Sequence, residues 1–328
     1  METGFAFFHK PSHMIVQRHA RELGIKHAVS SAEWSGGFGP YIHPWDYMPL
    51  LKTKLDMKEY GMDFDVLEGV NFLDDAKLGT DRRDEAIDHF IKLLENMSKL
   101  NIGVCCYNWM PVWGWFRTQQ NMELSGGATV TGFDASLIPT EPVTELGLVK
   151  KETLWKNLKY FLEAVVPYAE KYRIRLAIHP DDPPVDNIGG IERILTSAEA
   201  MQRVIDLVDS EYNGITFCQG SFAAMGEDVP VQIRNFGSQG KLFFAHFRDI
   251  NGTGNRFNEE FHDTGMTDMA EAMKAYYDIG FQGVIRPDHV PTMTNDVSQE
   301  QGYGVNGNLY AAGYMAGLME ALKNSAGR

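Results

Sequence analysis

Four short motifs end in residues able to hold a metal ion: His179 in IHPDDPP, Cys218 in FCQGS, His246 in AHFRD and Asp288 in RPDH. Each stands where an apolar run gives way to a loop, as a buried strand does at its carboxyl end. Singly, each has an ordinary explanation: a hydrogen-bonded strand-end histidine, a small buried hydrophobe, a turn-capping aspartate. Together, at equivalent places in four successive runs, they point to a divalent-metal cage. A mixed nitrogen, sulfur and oxygen set suits Mn²⁺, Fe²⁺, Co²⁺ or Zn²⁺ better than Mg²⁺, for which a thiolate is too soft.

Other groups collect around these four. Asp181 and Asp182 directly follow His179 and are candidate partners or proton carriers, or else loop and cap residues. Arg248 and Arg286 flank His246 and Asp288, where either could hold a carboxylate or pair with acidic neighbours in the wall. Glu68 and Asn108 end the third and fourth runs and point to the same rim. Trp109, Trp113, Trp115 and Phe116 lie just beyond, available to stack on a sugar face or to fill core.

Such convergence needs elements that end together. Eight runs qualify: Phe5–Phe8, His27–Ser31, Phe64–Glu68, Gly103–Tyr107, Arg175–His179, Ile215–Cys218, Leu242–His246 and Val284–Pro287. Several are apolar at consecutive positions, the mark of strands buried on both faces of a parallel sheet. Helical patterns lie between them. The clearest places Leu154, Leu158, Phe161, Leu162 and Val165 on one face, with Pro167 expected to kink or end its last turns. Asp84 to Lys99 repeats the pattern through Ile87, Phe90, Leu93 and Met97; Ser197 and Asp268 are expected N-caps, and Gly280 a stop. Strand then helix, eight times, predicts an α/β fold, a (β/α)8 TIM barrel, as one domain over 1–328. Residues 119–147 are too long and polar for a simple loop and are expected as an excursion on the rim, in the place of a lid. No GxGxxG or GxxxxGK[ST] follows an early strand, which argues against a doubly wound nucleotide-binding fold.

Composition narrows the partners. The 328 residues carry 30 Lys plus Arg against 44 Asp plus Glu, a net charge of −14 that repels nucleic acid and anionic membrane surfaces. Three cysteines, two of them adjacent, fit a reducing compartment, and no run approaches a membrane span or a signal-peptide core. A cytoplasmic enzyme of small molecules is expected, and a homo-oligomer, as metabolic barrels often are.

At the four metal-bearing strand ends the sequence resembles the mannonate dehydratase family of the xylose-isomerase-like barrel superfamily. The matching stretches are HPDDPP (179–184), FCQGS (217–221), HFRDI (246–250), RPDHV (286–290), CYNWMPVWGWFRT (106–118), VLEGVNFLDDAKLG (66–79) and GYGVNGNLYAAGYMAGL (302–318). The resemblance implies that His179, Cys218, His246 and Asp288 bind the metal, usually Mn²⁺. It places Tyr303 at the active site with His289 beside Asp288. It also implies a sugar-acid substrate, D-mannonate, dehydrated to 2-keto-3-deoxy-D-gluconate. Tyr303, His289, Asp181 and Asp182 are then the acid and base candidates, with no direction assigned among them. An isomerase or epimerase working through the same enediolate, and a silent sugar-acid binder, are the competing functions. The sequence departs from the family's RWYG-like first strand (GFAFFHK), and its TALH-like second strand reads AVSSAEWSGG, with Ala32, Glu33 and Trp34 near the place of a histidine. Two further differences are GWFRT at 114–118 and Gly307–Asn308 in the tail. For an anionic substrate, Arg117, Arg248 and Arg286 are expected to make the pocket locally positive while the acidic excess lies on the outer helices.

Overall fold

Strands such as LFFAHF and NGITFC, buried at every position, have no face for water and must be covered on both sides. The computed structural model describes residues 1–8, 13–31, 41–139, 141–298 and 301–326. In it eight parallel strands close on themselves: β1 (Glu2–Phe7), β2 (His27–Ser30), β3 (Asp63–Glu68), β4 (Val104–Asn108), β5 (Arg175–His179), β6 (Asn213–Cys218), β7 (Leu242–Phe247) and β8 (Val284–Pro287). Each contains or overlaps one expected run. β1 closes the ring by pairing with both β2 and β8. The chain is a (β/α)8 barrel.

Eight longer helices alternate with the strands: α1 (His13–Glu22), α2 (Tyr47–Glu59), α3 (Arg83–Lys99), α4 (Lys151–Tyr172), α5 (Ala198–Leu207), α6 (Val229–Ser238), α7 (Met269–Asp278) and α8 (Val305–Ala326). The anticipated face of α4 is buried from Leu154 to Val165. Pro167 does not end that helix, which runs on to Tyr172. Burial of Val166 and Ala169 on the barrel outweighs the one backbone hydrogen bond a proline forgoes. Ser197 accepts from the Ala200 amide and Asp268 from the Glu271 amide, so both caps form, and Gly280 takes the left-handed conformation past α7.

The strand register sets the level of the site. Asn108 pairs with His179, Cys218 with His246, and His246 with Arg286, each at or next to the end of its strand, while Glu68 ends β3 opposite Cys106, two residues before the end of β4. Beneath them Val29, Val66, Cys106, Ala177, Phe243, Phe244 and Val284 form a small apolar cluster that plugs the barrel.

Over 119–147 the chain forms a hairpin, Gln119–Glu123 with Thr129–Asp134, followed by a short turn of helix. A second excursion after β7, unexpected from the sequence, pairs Ile250–Thr253 with Arg256–Glu259 and joins the first hairpin in one four-stranded antiparallel sheet on the rim. Its signal is NGTGN at 251–255: Gly252 and Gly254 have positive φ, and a Cβ on Gly252 would come 2.5 Å from the Arg256 carbonyl.

Candidate active site

The ends of β3, β4, β5, β7 and β8 surround a cavity of about 260 Å³ lined by Glu68, Asn108, His179, His246, Asp288 and His289, among others. At its base, ligand atoms of His179, Cys218 and His246 lie within 4.8 Å of one another. His179 Nε2 is 3.2 Å from His246 Nδ1, and Asp288 Oδ2 is 3.6 Å from that Nδ1 and 3.8 Å from Cys218 Sγ. These separations suit donors sharing one ion at bond lengths of about 2.0–2.3 Å.

The donors face one another. His179 Nδ1 is 2.6 Å from the Pro180 carbonyl, which only accepts, so that nitrogen carries its hydrogen and Nε2 is left towards His246. His246 Nε2 lies 3.2 Å from Glu68 Oε1 without making a hydrogen bond among the described residues, and its Nδ1 faces His179 Nε2 at 3.2 Å. With a thiol and a carboxylate alongside, nitrogen, sulfur and oxygen donors converge in one place, a set that fits a divalent ion.

The three arginines all face carboxylates of the chain. Arg286 spends its Nε and Nη2 on Glu68 (3.1 and 2.9 Å) and its Nη1 on Asp288 Oδ1 (2.9 Å). Arg117 donates to both oxygens of Asp182 (2.6 and 3.0 Å) and to Glu259 (2.6 Å). Arg248 donates to Asp182 (2.6 Å), approaches Asp288 and Cys218 at 3.4 Å, and pairs with Glu259 at 2.9 Å. Gly220 lets Arg248 in: a Cβ there would stand 2.3 Å from its Nε. Arg248 and Arg286 thus take the second of their two expected roles, pairing with acidic neighbours in the wall, while Arg248 Nη2 is buried without a hydrogen-bond partner among the described residues. Glu68 lines the cavity but is likewise committed, to Arg286 and His246.

The pair after His179 splits. Asp181 is fully buried behind the cavity, accepting from the amides of Ile194 and Leu195 (2.9 and 2.8 Å), with Arg193 at 3.6 Å. Burial raises its pKa, which the guanidinium and amides only partly offset. Asp182 lines the cavity, yet its oxygens are held by Arg117 and Arg248. Burial alone would push its pKa up; those two charges outweigh burial and hold it far below the usual carboxylate range. Asn108 reaches the cavity with its Oδ1 accepting from Lys77 Nζ (3.1 Å) and the Met110 amide (3.0 Å).

His289 and Tyr303 both line the cavity, their rings edge to face with centroids 5.7 Å apart. His289 Nδ1 meets Glu259 Oε1 at 3.1 Å, and the Trp115 ring lies 4.9 Å from the imidazole. Gly302, at φ +80, passes so close that a Cβ would sit 3.1 Å from His289 Cδ2.

Lys77, Arg193 and Glu259 are further buried charged residues of this wall, with no mark in the sequence. Lys77 pairs with Asp74, Arg193 with Asp181, and Glu259 with Arg117 and Arg248. Basic groups do gather at the strand ends, each beside a carboxylate of the chain. The departures at Ala32, Glu33 and Trp34 lie outside the described residues.

A sequence model of D-mannonate dehydratase matches residues 1–150 and 140–328. The chain belongs to the D-mannonate dehydratase family. That makes it a member of a hydro-lyase family. Curated members include the mannonate dehydratase of Thermotoga maritima, 38% identical over 86% of this chain and 88% of that one. Mannonate dehydratase 2 of Halalkalibacterium halodurans is 36% identical over 96% and 97%. The crystal structure of mannonate dehydratase from Streptococcus suis serotype 2 superposes with a TM-score of 0.91 at 32% identity, covering 100% of this chain and 95% of that one. A D-tagatose 3-epimerase-like protein, at TM-score 0.64 and 15% identity, shares the barrel architecture with the family. Among the described residues no helix is long and apolar enough to cross a membrane.

Proposed function

We propose that the protein removes water from D-mannonate to give 2-keto-3-deoxy-D-gluconate, using one divalent ion, Mn²⁺ first among Mn²⁺, Fe²⁺, Co²⁺ and Zn²⁺. His179, Cys218, His246 and Asp288 would hold it. The observation that carries this reading is the convergence of two imidazole nitrogens 3.2 Å apart with a thiol and a carboxylate. Bound there, the ion would stabilise the negative charge that develops when the hydrogen α to the carboxylate is lost.

The remaining work falls to side chains. The reaction must take the C2 proton and give a proton to the departing C3 hydroxyl, after which the enol left behind tautomerises to the keto acid. With Asp181 turned away and Asp182 locked by two arginines, His289 and Tyr303 are the two proton carriers at the cavity wall, each worth ~10²–10⁴-fold when well placed. Trp115, over His289, would shield the reacting carbons from water. The three cysteines are buried and unbridged, which supports a cytoplasmic setting.

The test is incubation of the protein and a divalent metal salt with a panel of hexonates in deuterated water. A keto-deoxy acid from D-mannonate is expected. Deuterium entering recovered substrate without that product would favour an epimerase instead.

A further inference from the structure

Glu259 is delivered to the site by the rim sheet. It ends the strand Arg256–Glu259, whose neighbour Thr129–Asp134 comes from the other excursion, more than a hundred residues earlier in the chain. Its side chain is 1% exposed and is gripped from two sides: Oε1 by Arg117 Nη2 at 2.6 Å, Oε2 by Arg248 Nε at 2.9 Å. Burial raises its pKa, but Arg248, His289 and Arg117 outweigh burial and keep it ionised. An ionised carboxylate has no hydrogen to give. The hydrogen in the 3.1 Å contact between Glu259 Oε1 and His289 Nδ1 therefore belongs to the histidine.

The rest of the ring is fixed as well. Trp115 lies 4.9 Å away, Tyr303 meets the ring edge to face, and the Gly302 backbone passes beside Cδ2. Nε2 is the nitrogen left for chemistry. Asp288 Oδ1, 3.8 Å from it, is too distant for a hydrogen bond and is occupied by Arg286.

We propose that Glu259 is the positioning residue of the proton carrier His289, and that the rim sheet serves to bring this carboxylate under the imidazole. It sets the ring's orientation and keeps the hydrogen on Nδ1, so that Nε2 faces substrate. Arg117 and Arg248, shared with Asp182, hold the carboxylate still. The inference rests on the reading of His289 as a proton carrier. A buried ion network is weak evidence of stabilisation in itself, so a merely structural role has to be separated by measurement.

Two measurements do so. In a double-mutant cycle on D-mannonate, Glu259→Gln is expected to lower kcat ~10–10²-fold, with KM within about threefold of the parent, and to cost nothing further in a His289→Asn background. The same loss in both backgrounds would overturn the proposal, as would an unchanged kcat in Glu259→Gln. Metal content across the four proteins should not differ. The second uses the parent labelled with ¹⁵N-histidine and loaded with diamagnetic Zn²⁺, His289 being assigned by its absence in His289→Asn. A hydrogen on Nδ1 is expected; a bare Nδ1 with the hydrogen on Nε2 overturns the proposal. This readout holds whether or not Glu259→Gln folds. It also needs no turnover, so failure of the proposed reaction and failure of the positioning role give different results.

Discussion

Glu68 Oε1 lies 3.2 Å from Nε2 of His246, whose other ring nitrogen faces His179. Burial would raise the Glu68 pKa, but Arg286 and His246 outweigh it and hold the carboxyl down to about 2. A carboxylate at this place favours the tautomer with its hydrogen on Nε2, which would leave Nδ1 to a metal. Glu68→Gln should weaken divalent-metal affinity ~10–100-fold, the usual cost of losing a carboxylate that orients a ligating histidine. Competition against a chelator reads this directly, and affinity equal to the parent's would contradict the assignment.

Cys218 is the one soft donor in the proposed cage. Replacing it with serine should cost Zn²⁺ and Co²⁺ affinity more than Mn²⁺ affinity, because an oxygen donor is harder than a thiolate. The Co²⁺-loaded parent should show a sulfur-to-metal charge-transfer absorption that Cys218→Ser lacks. A band of equal strength in both would exclude the thiolate as a ligand.

Gly302 adopts φ +80 against His289, and a Cβ there, 3.1 Å from Cδ2, would make the ring give by a few tenths of an ångström. Gly302→Ala should destabilise the fold by about 1–2 kcal/mol through left-handed strain. By displacing the imidazole it should also lower kcat several-fold while metal content stays constant. Loss of stability with kcat intact would mean that the ring tolerates the shift.

Asp249, just past β7, accepts from the amides of Ile250 and Thr267 through Oδ1, while its Oδ2 is buried without a partner among the described residues. Burial, helped by nearby Glu260, raises its pKa from 3.8 to about 6, against the pull of the two amides. The sign follows: the folded state binds this proton more tightly than the unfolded one. The stability it contributes is full below pH 3.8 and lost as pH rises through about 6, on the order of 3 kcal/mol in all. Asp249→Asn keeps an acceptor for both amides and removes the charge. Its Tm should exceed the parent's at pH 8, with the difference shrinking towards pH 4; a difference independent of pH would contradict this.

Much of the architecture was legible because it depends on local pattern. Runs such as LFFAHF and VCCYN announce strands covered on both faces, and eight of them alternating with helices leave little but a barrel. The convergence of His179, Cys218, His246 and Asp288 was legible for the same reason, since each stands at or beside a strand end and strand ends meet. What was not legible depends on partners distant in sequence. Arg117 reads as a free cation until Asp182 and Glu259 are seen filling its fork. Asp181 and Asp182 are indistinguishable as letters, yet one turns to the amides of 194 and 195 and the other to two guanidiniums. Glu259 sits in RFNEEFHD with no local mark, because its role arises only when two excursions pair into one sheet.

One ion held at four strand ends is proposed to enable dehydration of D-mannonate by this chain. A metal titration of chelator-stripped protein, with bound ion and keto-deoxy product followed together, measures this directly. Activity should be absent in the stripped protein, rise in proportion to bound Mn²⁺ and level off at one ion per chain. Product formation indifferent to the metal, or its absence with the ion fully bound, would rule out a metal-dependent dehydratase.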